Sequence, residues 1–289
     1  MGRPKYLENI LNKLLVHTPR GILITLSVMI IGNLIMNETG QTQVNPTRDL
    51  LAKSERHHQW VKIKAENGHI VNAFLTFPET KEKATAVIVI HENRGLTDWV
   101  RLVGDQLAKH GFVAVCPDLL SGKGSEGRGT TSFSSSDDAR RAIYDLSSDQ
   151  VTADLKAVTE YVHNLPSTTD KVVVTGFCWG GAQAFRFATN ENSIAAVCVF
   201  YGRPPRKEKI DRINCPVYGF YGENDERINS TIKDTQNTAG AAGIIYEPVI
   251  YAGVGHAFLR RGMEPNANEV EQAANRQAWE RLLKLLNKL

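Results

Sequence analysis

Apolar and polar positions change rhythm along this chain, and the rhythm lays out its elements. Trp60 to Lys64 and His69 to Phe77 alternate apolar and polar about Asn67-Gly68, which predicts a hairpin. Thr85 to Ile90 is an unbroken, largely β-branched run, the pattern of a strand buried on both faces. Val100, Val103 and Leu107 recur at helical spacing between Asp98 and His110, and Gly111 marks the stop. Phe112 to Cys116 is the next strand, closed by Pro117, and the Gly/Ser-rich stretch Leu119 to Asp137 is expected to be a long surface loop. A helix is predicted over Asp149 to Leu165, from Val151, Leu155, Val158 and Val162, with Pro166 ending it. Lys171 to Thr175, Ile194 to Phe200, Val217 to Tyr221 and Ile244 to Tyr251 are further strands with helical segments between them, and Asn268 to Leu289 is a closing amphipathic helix. Alternation of this kind predicts an α/β fold, a mostly parallel central sheet flanked by helices on both faces, with the opening hairpin as antiparallel edge strands. Its chemistry is expected beyond the carboxyl ends of the strands.

The start of the chain follows a different pattern. Gly21 to Met36 carries no charge and follows a segment holding Arg3, Lys5, Lys13 and Arg20, the layout of a positive region before an apolar one. The run is somewhat short for a spanning helix, and no small-residue cleavage site follows it. An uncleaved signal anchor through residues 21–36, a poor signal peptide and an amphipathic or buried helix packed on the rest of the chain all remain open. The first two place the protein at a membrane or outside it, on the periplasmic side if bacterial; the third fits a cytoplasmic protein. Thr42 to Glu55 is polar. The expected organisation is a targeting or anchor segment over 1–45, a linker over 46–57 and a catalytic domain over 58–289.

Composition mainly excludes. With 34 basic and 31 acidic side chains the net charge of +3 is too small to suggest a nucleic-acid partner. Four cysteines are too few for a disulfide scaffold, and none forms a Cys-x-x-Cys pair, so neither a structural zinc nor any other metal site is expected. Cys116 and Cys198 lie in apolar runs and are expected to be inert core residues. His57-His58 has no further ligand at metal spacing and is expected to be a surface pair.

One cysteine stands apart. Between the strand Lys171 to Thr175 and the helical Ala182 to Ala188 lies Gly176-Phe177-Cys178-Trp179-Gly180-Gly181, a Gly-x-nucleophile-x-Gly turn with cysteine where esterases usually carry serine. With 23 glycines in 289 residues, chance would place such a pattern about a cysteine only about 0.025 times. The turn holds its central residue in strained backbone geometry at a helix N-terminus, where the helix and a nearby imidazolium are expected to lower the thiol's pKa. In this fold the acid and base follow the nucleophile. Asp225 follows the strand ending at Tyr221 and His256 follows the strand ending at Tyr251, with Glu223 as the competing acid.

These residues resemble the dienelactone hydrolase family of α/β-hydrolases. Gly-Phe-Cys-Trp-Gly-Gly, Cys-Pro-Asp-Leu at 116–119 and Gly-His-Ala-Phe at 255–258 carry the resemblance, which runs from about Trp60 to the C-terminus. It implies that Cys178 attacks a lactone carbonyl, that His256 acts as base and then acid, and that Asp225 orients the imidazole. It adds Glu92, in His91-Glu92-Asn93-Arg94-Gly95, as the group that holds the resting thiol neutral and takes its proton when substrate arrives. It also implies backbone N–H groups of Asn93 and Trp179 as the oxyanion hole and, for a substrate carboxylate, the guanidinium groups of Arg260 and Arg140. Arg140 matches once a short deletion is allowed and could equally cap a surface helix, and Trp179 is bulky enough to narrow the pocket.

The expected activity is therefore cleavage of a small-molecule lactone or activated ester, carboxylate-bearing where the two arginines serve it, with no cofactor. A general carboxylesterase or thioesterase is the alternative within enzymes, and a low-turnover ligand-binding protein on a hydrolase scaffold the alternative outside them. Four converging groups favour an enzyme, since a binding protein has no physical need to keep them.

Overall fold

In the computed structural model, residues 46–289 are described; the anchor predicted over 21–36 lies outside them. Eight strands make one sheet in the order β1-β2-β4-β3-β5-β6-β7-β8. They are β1 (His58–Lys64), β2 (Ile70–Thr76), β3 (Ala84–Ile90), β4 (Val113–Asp118), β5 (Thr168–Phe177), β6 (Ala196–Phe200), β7 (Val217–Gly222) and β8 (Tyr246–Tyr251). The hairpin β1–β2 and the pair β2–β4 are antiparallel, and every other pairing is parallel. Helices cover both faces, as the alternation of elements predicts.

The period of two along β5 decides what each face buries. Val172 and Val174 join Leu155 and Val158 of helix α4 (Ser148–His163) on one side, under helix α5 (Trp179–Phe187). Val173 turns to the other side, with Val100 and Val103 of helix α2 (Asp98–Lys109) and Leu282 of the closing helix (Glu269–Leu286). The last of these starts where the sequence predicts, at Asn268, whose side chain accepts from Glu271 N while Glu271 returns a bond to Asn268 N. Among the described residues no helix is long and apolar enough to cross a membrane.

Two segments differ from expectation. Where a linker is predicted over 46–57, residues Pro46–Ala52 form helix α1, which packs on α2 with Leu51 buried. Behind it Asp105, buried on α2, accepts from Ser54 Oγ at 2.5 Å, from Arg56 Nε at 2.8 Å and Nη2 at 2.6 Å, and meets His58 Nε2 at 2.8 Å. His58 is thus part of an anchor and not of a free surface pair. Polarity suggested a linker because the partner of these groups lies about 50 residues away. In the second segment, the loop after β4 contains short 3₁₀ turns and is followed by helix α3 (Ser136–Tyr144), whose first turn is capped by Ser135 accepting from Asp138 N at 3.1 Å. Asp118, at the end of β4, pins that loop: it accepts from Thr130 N and Thr130 Oγ1, each at 2.7 Å, while Thr130 Oγ1 accepts from Leu96 N at 2.9 Å. The Gly/Ser-rich segment is thereby brought against the loop that follows β3.

Candidate active site

Cys178 occupies the single residue between β5 and α5, with φ 54° and ψ −113°. Cys178 N donates to Phe200 O at 3.0 Å and Ala182 N donates to Cys178 O at 3.1 Å, so the strained conformation is held from strand β6 and from the helix it opens. The turn closes so tightly that a Cβ on Gly176 would lie 2.2 Å from Gly180 O. Gly176→Ala is accordingly expected to cost about 2–3 kcal/mol by overpacking against backbone. Differential scanning calorimetry should show Tm lower by roughly 5–10 °C.

The thiol does not rest as an easily formed thiolate. Burial first, and then the Glu92 carboxylate, push Cys178 up to about 11, with the Trp179 backbone N–H opposing them. This overturns the expectation that the helix N-terminus and an imidazolium lower it: desolvation and a neighbouring negative charge outweigh the first-turn amides. Cys116, Cys198 and Cys215 are buried and pushed to about 12 by desolvation, as befits inert core thiols.

The loops after β7 and β8 carry the other two groups. Asp225 Oδ2 accepts from His256 Nδ1 at 2.5 Å, which leaves Nε2 as the nitrogen available for proton transfer. The competing acid is engaged elsewhere, since Glu223 Oε2 accepts from Gly253 N at 2.8 Å. Gly222 lets the two loops close on each other; a Cβ there would meet Gly255 O at 2.5 Å. Asp225 is buried, and His256 remains partly open.

Glu92, directly after β3, is largely covered, and burial raises its pKa against the pull of Arg260. Arg260 Nε donates to Glu92 Oε2 at 3.0 Å, and its Nη1 donates to Glu264 Oε1 at 2.5 Å. The charges of Glu92 and Asp225 both bear on the Cys178 thiol, and that of His256 bears on Glu92, so four of the expected groups form one electrostatic cluster. The Asn93 N–H donates to nothing among the described residues, and Trp179 N lies in the first turn of α5, where helix amides lack internal acceptors.

Arg140 stands apart from this cluster. It is exposed on α3 and pairs, at 4.0 Å, with Asp137 of its own helix. One turn on, Tyr144 Oη accepts from Asn93 Nδ2 at 3.4 Å, so α3 borders the site without bringing Arg140 to Glu92 or Arg260. Trp179 turns away as well: its indole stacks on His91 at 5.6 Å and 12°, and packs with Leu120, Ala139 and Ile143.

Two site residues escaped the sequence reading. Tyr201, just after β6, is fully buried with φ 41°, and its ring meets that of His256 edge-on at 5.1 Å. Burial, then the charges of Glu92 and Cys178, hold its phenol well above the ordinary range. The only available signal was an aromatic residue before Gly202 at a strand end. His91 is buried, and desolvation lowers its pKa. Its Nδ1 faces Glu92 O at 2.8 Å and its Nε2 accepts from Leu119 N at 3.2 Å. Those partners select the neutral tautomer protonated at Nδ1, so His91 ties the backbone of Glu92 to the end of β4.

Beside the cluster a pocket of about 520 Å³ opens, with Glu92 and Arg260 at one side and Leu96, Trp99, Thr130 and Met263 among its walls. A largely parallel sheet, a strained cysteine turn after β5 and an acid–histidine pair on the loops after β7 and β8 are the architecture of an α/β-hydrolase. Residues 71–289 match the model of the dienelactone hydrolase family, and the chain belongs to that family, whose members hydrolyse esters or lactones. The chain is 32% identical over 209 residues to Protein usf of Aquifex pyrophilus, covering 69% of this chain and 86% of that protein. It is 30% identical over 256 residues to a provisionally named carboxymethylenebutenolidase of Saccharolobus solfataricus, covering 77% of this chain and 96% of that protein. Among solved structures it resembles a provisionally named dienelactone hydrolase of Klebsiella pneumoniae, with a TM-score of 0.71 at 23% identity, over 81% of this chain and 99% of that one.

Proposed function

We propose that this hydrolase opens a lactone or activated ester through covalent catalysis by Cys178. The observation that carries the reading is the convergence of a strained cysteine turn with the Asp225–His256 pair and with Glu92. Substrate displaces Glu92 from its resting contacts, and the carboxylate takes the Cys178 proton. The thiolate then adds to the carbonyl carbon, and the N–H groups of Asn93 and Trp179 receive the oxyanion. Collapse breaks the acyl C–O bond, and the leaving oxygen takes from Glu92 the proton that Cys178 gave up. In the second half His256 Nε2 removes a proton from water, which attacks the thioester; the C–S bond breaks, the acid leaves and the imidazolium returns the proton to the Cys178 thiolate, while Asp225 holds the imidazole in the tautomer this needs. Acid-quenching the enzyme on dienelactone or p-nitrophenyl acetate and mapping peptides by mass spectrometry should find the acyl group on Cys178. An acyl group on another residue, or turnover that survives complete alkylation of Cys178, would overturn the reading.

A neutral ester is a second reading, and it has its own support. Arg260 is already paired with Glu92 and Glu264, and Arg140 lies outside the cluster, so neither guanidinium expected to hold a carboxylate stands ready for one. If neutral esters are the substrates, simple p-nitrophenyl esters should be turned over at least as efficiently as dienelactone.

We also propose that residues 21–36 direct the protein to a membrane, on the support of their uncharged run behind a basic segment. Deleting residues 1–45, which leaves α1 intact, should then move esterase activity from the membrane pellet to the soluble fraction. Equal partitioning of the two forms would refute it.

A further inference from the structure

We propose that helix α1 is a specificity element: with α2 it walls a site for an apolar chain of the substrate, and Leu50 limits the chain that fits. The proposal rests on the reading that esters are opened at Cys178. Thr47 and Leu50, three residues apart on one face of α1, line the 520 Å³ pocket beside Glu92 and Arg260. Leu51 faces the other way and is buried, whereas Leu50 keeps 56% of its surface exposed, so a large apolar side chain stands open to the cavity and not to the core. Leu96, Trp99, Leu102 and Met263 supply the facing apolar wall, and the volume suits a small organic ligand.

The pocket reaches the cluster through Glu92, which lines it and whose charge bears on Cys178, and its Trp99 wall packs on the nucleophile turn. The Trp99 indole packs edge-on against Phe177, the residue before Cys178, at 4.9 Å, and its Nε1–H donates to Met263 Sδ at 3.3 Å. The lining combines the Glu92–Arg260 pair, with Arg94, Asp98 and Glu264, and an apolar surface made by Leu50, Leu96, Trp99, Leu102 and Met263. An alkyl substituent of an ester held at Cys178 would find its apolar contacts on Leu50, Leu96, Trp99, Leu102 and Met263. The wall is also fixed in place. Ser54, Arg56 and His58, just after α1, all bond Asp105 of α2, the helix that carries Trp99 and Leu102. Helix α1 precedes residues 71–289, the part that matches the family model.

The test uses the full chain and a series of p-nitrophenyl esters from acetate to octanoate. In the wild-type protein kcat/KM should rise by up to about fourfold per methylene until the pocket is full. Leu50→Asp should lower the octanoate-to-acetate ratio of kcat/KM at least fivefold. Arg56→Ala, which loosens the anchor without touching the cavity, should lower the same ratio. A second measurement does not depend on turnover: calorimetric binding of 1-octanol to Cys178→Ser should weaken at least fivefold when Leu50→Asp is added. An unchanged chain-length ratio, or equal octanol affinities, overturns the proposal. Octanol binding that depends on Leu50 in a protein that hydrolyses none of the esters supports the pocket while refuting the reading of Cys178.

Discussion

Cys178→Ala should lower kcat/KM on every ester or lactone the protein hydrolyses by roughly three orders of magnitude or more while leaving the fold intact. The size of the effect follows from how such sites act: nucleophile, base and orienting acid work as a unit, so losing the nucleophile removes nearly all that the set contributes. The fold should survive because the side chain is only partly buried and alanine keeps the backbone bonds from Cys178 N to Phe200 O and from Ala182 N to Cys178 O. Near-UV circular dichroism and Tm check the fold, and initial rates on the ester panel check the activity. Retention of more than a few per cent of the wild-type rate in a folded variant would remove Cys178 from the mechanism.

Glu92→Gln should separate the two jobs assigned to this carboxylate. With burial and Glu92 pushing Cys178 up to about 11, only about one thiol in ten thousand is ionised at pH 7. The sign of the change is set by charge: removing the neighbouring negative group stabilises the thiolate, so the cysteine's pKa falls. Iodoacetamide labelling at Cys178 near pH 8, read by peptide mapping to exclude Cys116, Cys198 and Cys215, should therefore rise several-fold. Turnover should fall in the same variant, because the acceptor of the thiol proton is gone. In the wild-type protein labelling should stay slow through pH 8 and climb steeply only as pH approaches 11. If the variant labels and turns over like wild type, Glu92 is an ordinary loop residue and the activation step proposed for it is wrong.

The parts of the site legible in the sequence share one property: each sits in a short segment whose local pattern is diagnostic. Gly176 to Gly181 announces the turn because only glycine fits where backbone approaches backbone, and Asp225 and His256 stand just past β-rich runs. Choosing Asp225 over Glu223 was a different matter, since both lie in one loop and only the fold shows Asp225 on His256 and Glu223 on the Gly253 amide. Tyr201 and His91 were not legible at all, because their roles come from burial beside groups distant in sequence.

What local pattern determines here is the order of strands and helices, the α/β class and the place of the nucleophile turn, because hydrophobic period, glycine and proline act through neighbours in the chain. What tertiary structure decided is everything that depends on two segments meeting. The thiol's pKa went up and not down because packing buried Cys178 and brought Glu92 to it, overriding the first-turn amides of α5. Arg260 became the partner of Glu92 while Arg140, equally basic on paper, stayed on the surface of α3. The polar stretch after residue 45 became a docked wall because Asp105, buried on α2, gathers Ser54, Arg56 and His58 from a segment about 50 residues upstream. A buried carboxylate needs partners, and no pattern along the chain says which distant groups will supply them.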